Sequence, residues 1–256
     1  MIRALITGLA MLTAAPAAAQ CRQALALGLD VSGSVDRTEY RLQLDGLAGA
    51  LRHPEVVEAL LSLPDHPVHV AIYEWSGPGD QRLLIPWRAI TDRATLDGIA
   101  ATLMTAQRIY MDPSTALGTA KRFGQALLEQ KPACWRRTLD LSGDGTSNTG
   151  PLPRDVRLGG TITVNALVIG SDDAPAGDAR QTDIAALSSY FRAWVIEGPN
   201  AFVETALGFA DYERAMVRKL KRELQGLSLA TSPAPPTIRT GDAKPAPYPR
   251  IAARSQ

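Results

Sequence analysis

The chain has 256 residues, with 27 Lys and Arg against 26 Asp and Glu for a formal net charge of +1, 45% hydrophobic residues and 21% charged ones. This length means one large or at most two small domains, and the composition is too apolar for a disordered chain and too evenly charged for a nucleic-acid binder. After the first twenty residues no uncharged apolar run reaches about 18 residues, so no membrane-spanning helix is expected there, and two cysteines, Cys21 and Cys134, are too few for a four-thiolate zinc site.

In chain order, Arg3, the apolar stretch from Ala4 to Ala15 and Ala17-Ala18-Ala19 before Gln20 form the pattern of a secretory leader over residues 1–19. A short membrane anchor is the competing reading, weakened by the brevity of the apolar stretch. Lipid attachment at Cys21 is disfavoured, because Gln20 sits where lipoprotein leaders carry a small residue. Cleavage leaves the mature chain in an oxidising, periplasmic or secreted location.

Ala24 to Leu29 is a continuous apolar run ending in Asp30, as expected of a strand buried on both faces. A helix follows, with Asp36 as N-cap and Glu39 as its capping-box partner, placing Tyr40, Leu44, Leu47 and Leu51 on one face. Strands are expected in Val68 to Trp75 and in Arg82 to Trp87, the second suited to an edge by its charged start and Pro86. Leu96, Ile99 and Leu103 mark another helix, and Leu117 to Leu128 a further one. Arg137 to Leu141 and Ile162 to Ile169 read as buried strands and Asp183 to Ser189 as a short helix. Arg192 to Ile196 reads as a last strand, and Ala201 to Leu224 as a long final helix with Val203, Leu207, Ala210, Val217, Leu220 and Leu224 inward. Strands alternating with helices predict an α/β fold: a doubly wound, mostly parallel sheet covered on both faces, with one antiparallel edge strand. From residue 231 on, six prolines and a net charge of +3 mark a disordered basic tail, which leaves 22 basic against 25 acidic residues in the expected domain, 20–230.

Ligands of open α/β sheets lie at the carboxyl ends of the strands, and the oxygen-rich residues collect there. Asp30-Val31-Ser32-Gly33-Ser34 follows the first strand, Ser142-Gly143-Asp144-Gly145 follows the strand at Arg137, and Asp112-Pro113-Ser114-Thr115 precedes a helix. Hydroxyls two residues apart at a strand end can face one cavity, and hydroxyl and carboxylate oxygens suit a hard cation. Together these loops resemble the metal-ion-dependent adhesion site of von Willebrand factor type A domains. With Ser142 to Asn148, the leader and the tail, the chain is similar to the domain of unknown function 1194 family, secreted bacterial proteins of this fold. The resemblance implies that Asp30, Ser32, Ser34, Thr115 and Asp144 hold Mg²⁺, or Mn²⁺ or Ca²⁺. The family's more usual glycines are replaced by Asp112-Pro113-Ser114, so Ser114 and Thr115 both stay open as the ligand from that loop. Two anions leave such an ion residual charge and an open position for a Glu or Asp of a protein partner.

Simpler readings stand beside these. Asp36 reads as a helix cap, Asp112 as turn chemistry, Asn148 as a loop-stabilising side chain and Asp140, inside an apolar strand, as a buried hydrogen-bonded carboxylate; Asp172 and Asp173 read as a solvated loop. Trp75 and Trp87 read as packing residues. His53, His66 and His69 share one segment without a further ligand nearby. No Gly-x-Ser-x-Gly elbow and no phosphate loop occurs, and Ser32 stands where an aspartyl-phosphate enzyme needs a second Asp. In the von Willebrand A topology the strands before Asp30 and Asp144 are parallel neighbours, and Cys21 and Cys134 lie nine and ten residues back from them, which implies a disulfide at the opposite sheet edge.

The expected protein is thus a monomeric secreted module that binds a divalent cation and, through it, an acidic group of a protein partner, with no catalytic residues. A metal-dependent hydrolase or phosphatase using the same ion, and an envelope protein with a non-functional site, are the alternatives.

Overall fold

The computed structural model describes residues 21–159, 161–170 and 178–225; the leader, the tail, Asp172 and Asp173 lie outside them. One six-stranded sheet in the order β3-β2-β1-β4-β5-β6 runs through the molecule. Its strands are β1 (Gln23–Asp30), β2 (Val68–Trp75), β3 (Gln81–Ile90), β4 (Arg136–Gly143), β5 (Ile162–Ile169) and β6 (Val203–Ala206), and only β3 is antiparallel to its neighbour. On β3, Pro86 and Trp87 stand opposite Ala71 alone, a bulge that spares the proline a ladder bond it cannot make.

The apolar run of β1 alternates between two cores. Leu25, Leu27 and Leu29 pack towards α1 (Arg37–Arg52), α2 (Pro54–Leu61), α3 (Arg93–Thr105) and α6 (Tyr212–Gln225); Ala24 and Ala26 face α4 (Leu117–Glu129) and α5 (Asp178–Trp194). Small residues on that second face are required: a Cβ at Gly28 would stand 2.6 Å from the hydroxyl of Tyr73, which donates to the Ala120 carbonyl on α4. Asp36 and Glu39 form the expected reciprocal capping box, and Tyr40, Leu44, Leu47 and Leu51 are all buried.

Two expectations at the C-terminal end are corrected. Arg192 to Ile196 is no strand: α5 runs on through Trp194, because Ser188, Phe191 and Val195 recur at helical spacing and bury one stripe. Ala201 to Leu224 is not one helix. Val203–Ala206 forms the edge strand, pairing with Ala166–Ile169, and the helix begins at Tyr212 after a short 3₁₀ turn. The apolar spacing of residues 203, 207 and 210 matched a helix by coincidence, while the open edge of β5 required a partner; Leu207 and Ala210 are exposed. The sequence reading also assigned nothing to Pro54–Leu61, a short helix whose proline sits at its first position, where no N–H is needed. Buried Arg22 receives that helix's end, donating to the carbonyls of Ala59 and Leu60 and to the Ser62 hydroxyl.

Cys21 and Cys134 are bonded, with Cα atoms 4.6 Å apart across 113 residues. Backbone bonds from Trp135 to Cys21 and from Arg136 to Arg22 begin the β1–β4 ladder beside the bridge. Reduction is expected to lower stability to urea by about 4 kcal/mol on the loop-entropy account, and a double serine variant should match the reduced protein; equal midpoints with and without reductant would refute the estimate.

Asp140, in mid-strand, is buried as expected, and its partner is a charge. Lys219 of α6 lies 2.5 Å from Asp140 and 2.7 Å from Glu223, all three side chains buried, and Asn165 donates to the same Glu223 oxygen. The Asp140 contact is an ion pair more than a directed hydrogen bond, since neither of its oxygens is in hydrogen-bonding geometry. Burial pushes the Asp140 carboxyl up and the Lys219 charge pulls it back. Lys219→Met, which strands two buried carboxylates, should cost about 3–5 kcal/mol in urea unfolding; a loss under about 1 kcal/mol would show that the cluster is already neutral.

Candidate functional site

Asp30 ends the central strand, paired in register with Trp75 and fully buried. Its Oδ1 accepts from the Ser32 N–H at 2.9 Å. Its Oδ2 is buried and has no hydrogen-bond partner among the described residues. The surroundings explain the lack: a Cβ at Gly143 would stand 3.2 Å from both Asp30 Oδ2 and the Phe191 ring, and 3.8 Å from Trp75. Burial among these groups, then the neighbouring charge of Asp144, raises the Asp30 pKa from 3.8 to about 8. Burial also raises that of Asp144, opposed by a hydrogen bond from Ser34.

The expected residues of two loops meet. The Ser34 hydroxyl donates to Asp144 Oδ1 at 2.7 Å, and the Ser32 and Ser34 hydroxyls stand 3.4 Å apart. The third loop arrives through the backbone: Gly33 N–H donates to the Pro113 carbonyl at 2.8 Å. Glycine permits that approach, because a Cβ there would come within 2.9 Å of Pro113 Cβ and 3.1 Å of its carbonyl oxygen. Thr115 is 6% exposed, and its backbone is tied in both directions to Asn148, whose Oδ1 accepts from the Thr115 N–H at 2.8 Å. Asn148 therefore steadies the third loop as well as its own. Asp112 makes the expected turn, taking both the N–H and the hydroxyl of Ser114.

Two residues that the sequence reading passed over hold the first loop. Gln43, on the buried face of α1, donates to the Asp30 carbonyl at 2.9 Å. Arg108 donates to the carbonyls of Val31, Ser32 and Val35. A polar residue on the apolar face of α1 was a readable signal for Gln43. Arg108 lies outside any periodic segment and had none.

The chemistry of this donor set is oxygen alone, two carboxylates and hydroxyls. Among the described residues no group of three or more His, Cys, Asp or Glu side chains has metal-holding geometry; His66 instead lies against Trp135, ring centroids 4.5 Å apart. The unpartnered Oδ2 of Asp30, with Gly143 leaving room beside it and oxygen donors on the neighbouring loops, fits a small hard cation in donor chemistry.

A family model described as protein of unknown function (DUF1194) matches residues 20–228. Among solved structures, the chain is similar to a von Willebrand factor type A protein from Catenulispora acidiphila (16% identity, TM-score 0.51, covering 81% of this chain and 43% of that one). The PilB minor pilin of Streptococcus sanguinis gives 13% identity and a TM-score of 0.57, over 86% of this chain and 65% of the pilin. The SpaC pilus adhesin of Lactobacillus rhamnosus GG gives 13% and 0.53, over 81% and 31%. The chain thus corresponds to only part of each of these proteins, and the likeness establishes a von Willebrand A-like fold. No protein of curated function matches. Among the described residues no helix is long and apolar enough to cross a membrane.

A carboxyl raised from 3.8 to about 8 keeps in the folded state a proton that the unfolded chain has lost above about pH 4. Its stabilising contribution is complete below pH 4 and disappears as pH rises through 8. In chelator, the melting temperature should therefore fall from pH 5 to pH 8, with a loss on the order of a few kcal/mol, and Asp30→Asn should flatten the slope. An unchanged slope in that variant would assign the effect elsewhere.

Proposed function

The chain belongs to the DUF1194 family, its matched span of 20–228 taking in all three acidic loops, and from that premise we propose an extracytoplasmic interaction module that binds a divalent cation and, through it, an acidic group of a protein partner. The single observation that carries this reading is the buried, unpartnered Asp30 Oδ2 beside Asp144. A carboxylate oxygen stripped of water and given no donor is costly in a finished structure, and a bound cation removes the cost. Pilus proteins among the structural neighbours agree with a role in protein contact, and the Cys21–Cys134 bridge agrees with an oxidising compartment.

Asp30, Ser32, Ser34, Thr115 and Asp144 are the proposed ligands, for Mg²⁺ or, with the same donor chemistry, Mn²⁺ or Ca²⁺. Thr115 is preferred to Ser114 because the Ser114 hydroxyl is already committed to Asp112, whereas Asn148 holds Thr115 in place from behind. Gln43 and Arg108 fix the backbone from Asp30 to Val35 without using a ligand oxygen, so the loop is formed before the ion arrives. When bound, the ion supplies a positive centre with a position open to an outside carboxylate. The protein supplies no nucleophile or general base there, since both carboxylates serve as ligands.

Calorimetric titration with Mg²⁺ should show one site, removed by Asp30→Ala and by Asp144→Ala. Binding must displace the Asp30 proton, so affinity should fall about tenfold from pH 9 to pH 7, and heats measured in two buffers should differ by the protons released. Equal binding by both variants would sink the reading.

A further inference from the structure

Next to the loop that follows β1 lies an open cleft of about 810 Å³, walled by the first turns of α1 and by residues 106–110. Gly33, between the proposed ligands Ser32 and Ser34, is one of the residues that line the cleft, so the cleft adjoins that loop. Three arginines line it, Arg37, Arg41 and Arg108, against one acid, Asp36. Two of the three are committed to structure. Arg41 pairs with Asp45 and donates to the carbonyls of Leu103 and Ala106, and Arg108 holds the metal loop. The Asp36 carboxylate is occupied by the Glu39 N–H of the cap. Arg37 is exposed and has no partner among the described residues.

Across the cleft, Ile109 and Tyr110 stand 47% and 93% exposed. An aromatic ring left in water at the rim of a charged cleft is the kind of side chain that anchors a protein contact. The rest of the domain is mildly acidic, so this patch is a local reversal of sign that draws acidic partners to one edge and repels basic ones. A single free guanidinium between apolar side chains suits a peptide better than a phosphate backbone, which needs many cations.

We propose that this cleft takes an extended acidic segment of a protein partner: one carboxylate completes the cation's shell, a second within a few residues pairs with Arg37, and an aliphatic or aromatic side chain lies against Ile109 and Tyr110. This rests on the cation reading above and adds to it the direction in which the partner runs and the composition it must have.

The test uses the full chain in Mg²⁺ to select from a random twelve-residue peptide library displayed on phage, followed by fluorescence anisotropy with the enriched peptides, synthesised and labelled. The expected peptides carry two or more Asp or Glu with an apolar residue near them. Arg37→Gln and Tyr110→Ala should each weaken them about fivefold or more, Arg37→Lys should recover part of the loss, and Mg²⁺ affinity by calorimetry should stay within about twofold. No enrichment, peptides without acidic pairs, or indifference to both substitutions overturns the cleft while leaving Mg²⁺ binding intact. Loss of Mg²⁺ binding in the unaltered chain, or peptide binding indifferent to chelator and to Asp144→Ala, overturns the cation reading itself.

Discussion

β1 is hydrogen-bonded to β2 on one side and to β4 on the other and is buried on both faces, so its last residue carries a carboxyl group where water does not reach. Much of the carboxyl edge of the sheet is organised around that placement. The Ser32 N–H answers one oxygen and Gln43 ties down the backbone carbonyl. Arg108 spends its guanidinium on three loop carbonyls, so its charge lowers the Asp30 pKa only as the smallest of the influences on it. The loop is therefore held around a carboxyl group that keeps its proton up to about pH 8 and whose Oδ2 has no hydrogen-bond partner among the described residues. A loop held in place before any ligand arrives is what the proposed site requires.

The same sheet contains a second buried carboxylate, and the contrast is informative. Asp140 lies in mid-strand, and α6 delivers Lys219 directly to it, with Glu223 and Asn165 completing the group. That charge is balanced from within the fold. Asp30, at the strand's end, has no such ion pair, and the charge of Asp144 pushes its pKa further up. Asp30 thus lacks the internal counter-charge that Asp140 has, and the proposed cation would supply it from outside. The exposed Tyr110 and Arg37 line a cleft that adjoins the Asp30–Ser34 loop at Gly33.

Much of the architecture was legible because periodicity and burial coincide in the central elements. Val68–Trp75 and Ile162–Ile169 are strands with the limits that their apolar runs announced, and Asp36 with Glu39 marked the start of α1. The errors cluster at the last edge strand. Val203–Ala206 is only four residues long and half exposed, so its own composition carried little signal, and the apolar residues around it fell by chance at helical spacing. Pro54–Leu61 went unassigned because it spans only eight residues, about two turns, too few for helical periodicity to stand out, although its proline sits at the first helical position. At the site, the Asp-x-Ser-x-Ser loop and Asp144 announced themselves by residue type, while Arg108 gave no sign in a segment without regular structure.

What the sequence by itself determined is the set of oxygen-bearing residues proposed as ligands, the strands that end in Asp30 and near Asp144, and the pair of cysteines nine and ten residues behind, because these depend on residue type and on the near-constant rise of a strand. What only the tertiary structure decided is the electrostatic state of that set. Whether Asp30 keeps a partner for each oxygen depends on where Gly143, Phe191 and Trp75 come to rest, and whether Asp140 is balanced depends on α6 packing across the opposite face. Those contacts join residues more than forty positions apart, and the free energy of a buried charge is set by the groups that close over it, which no local pattern in the chain can specify.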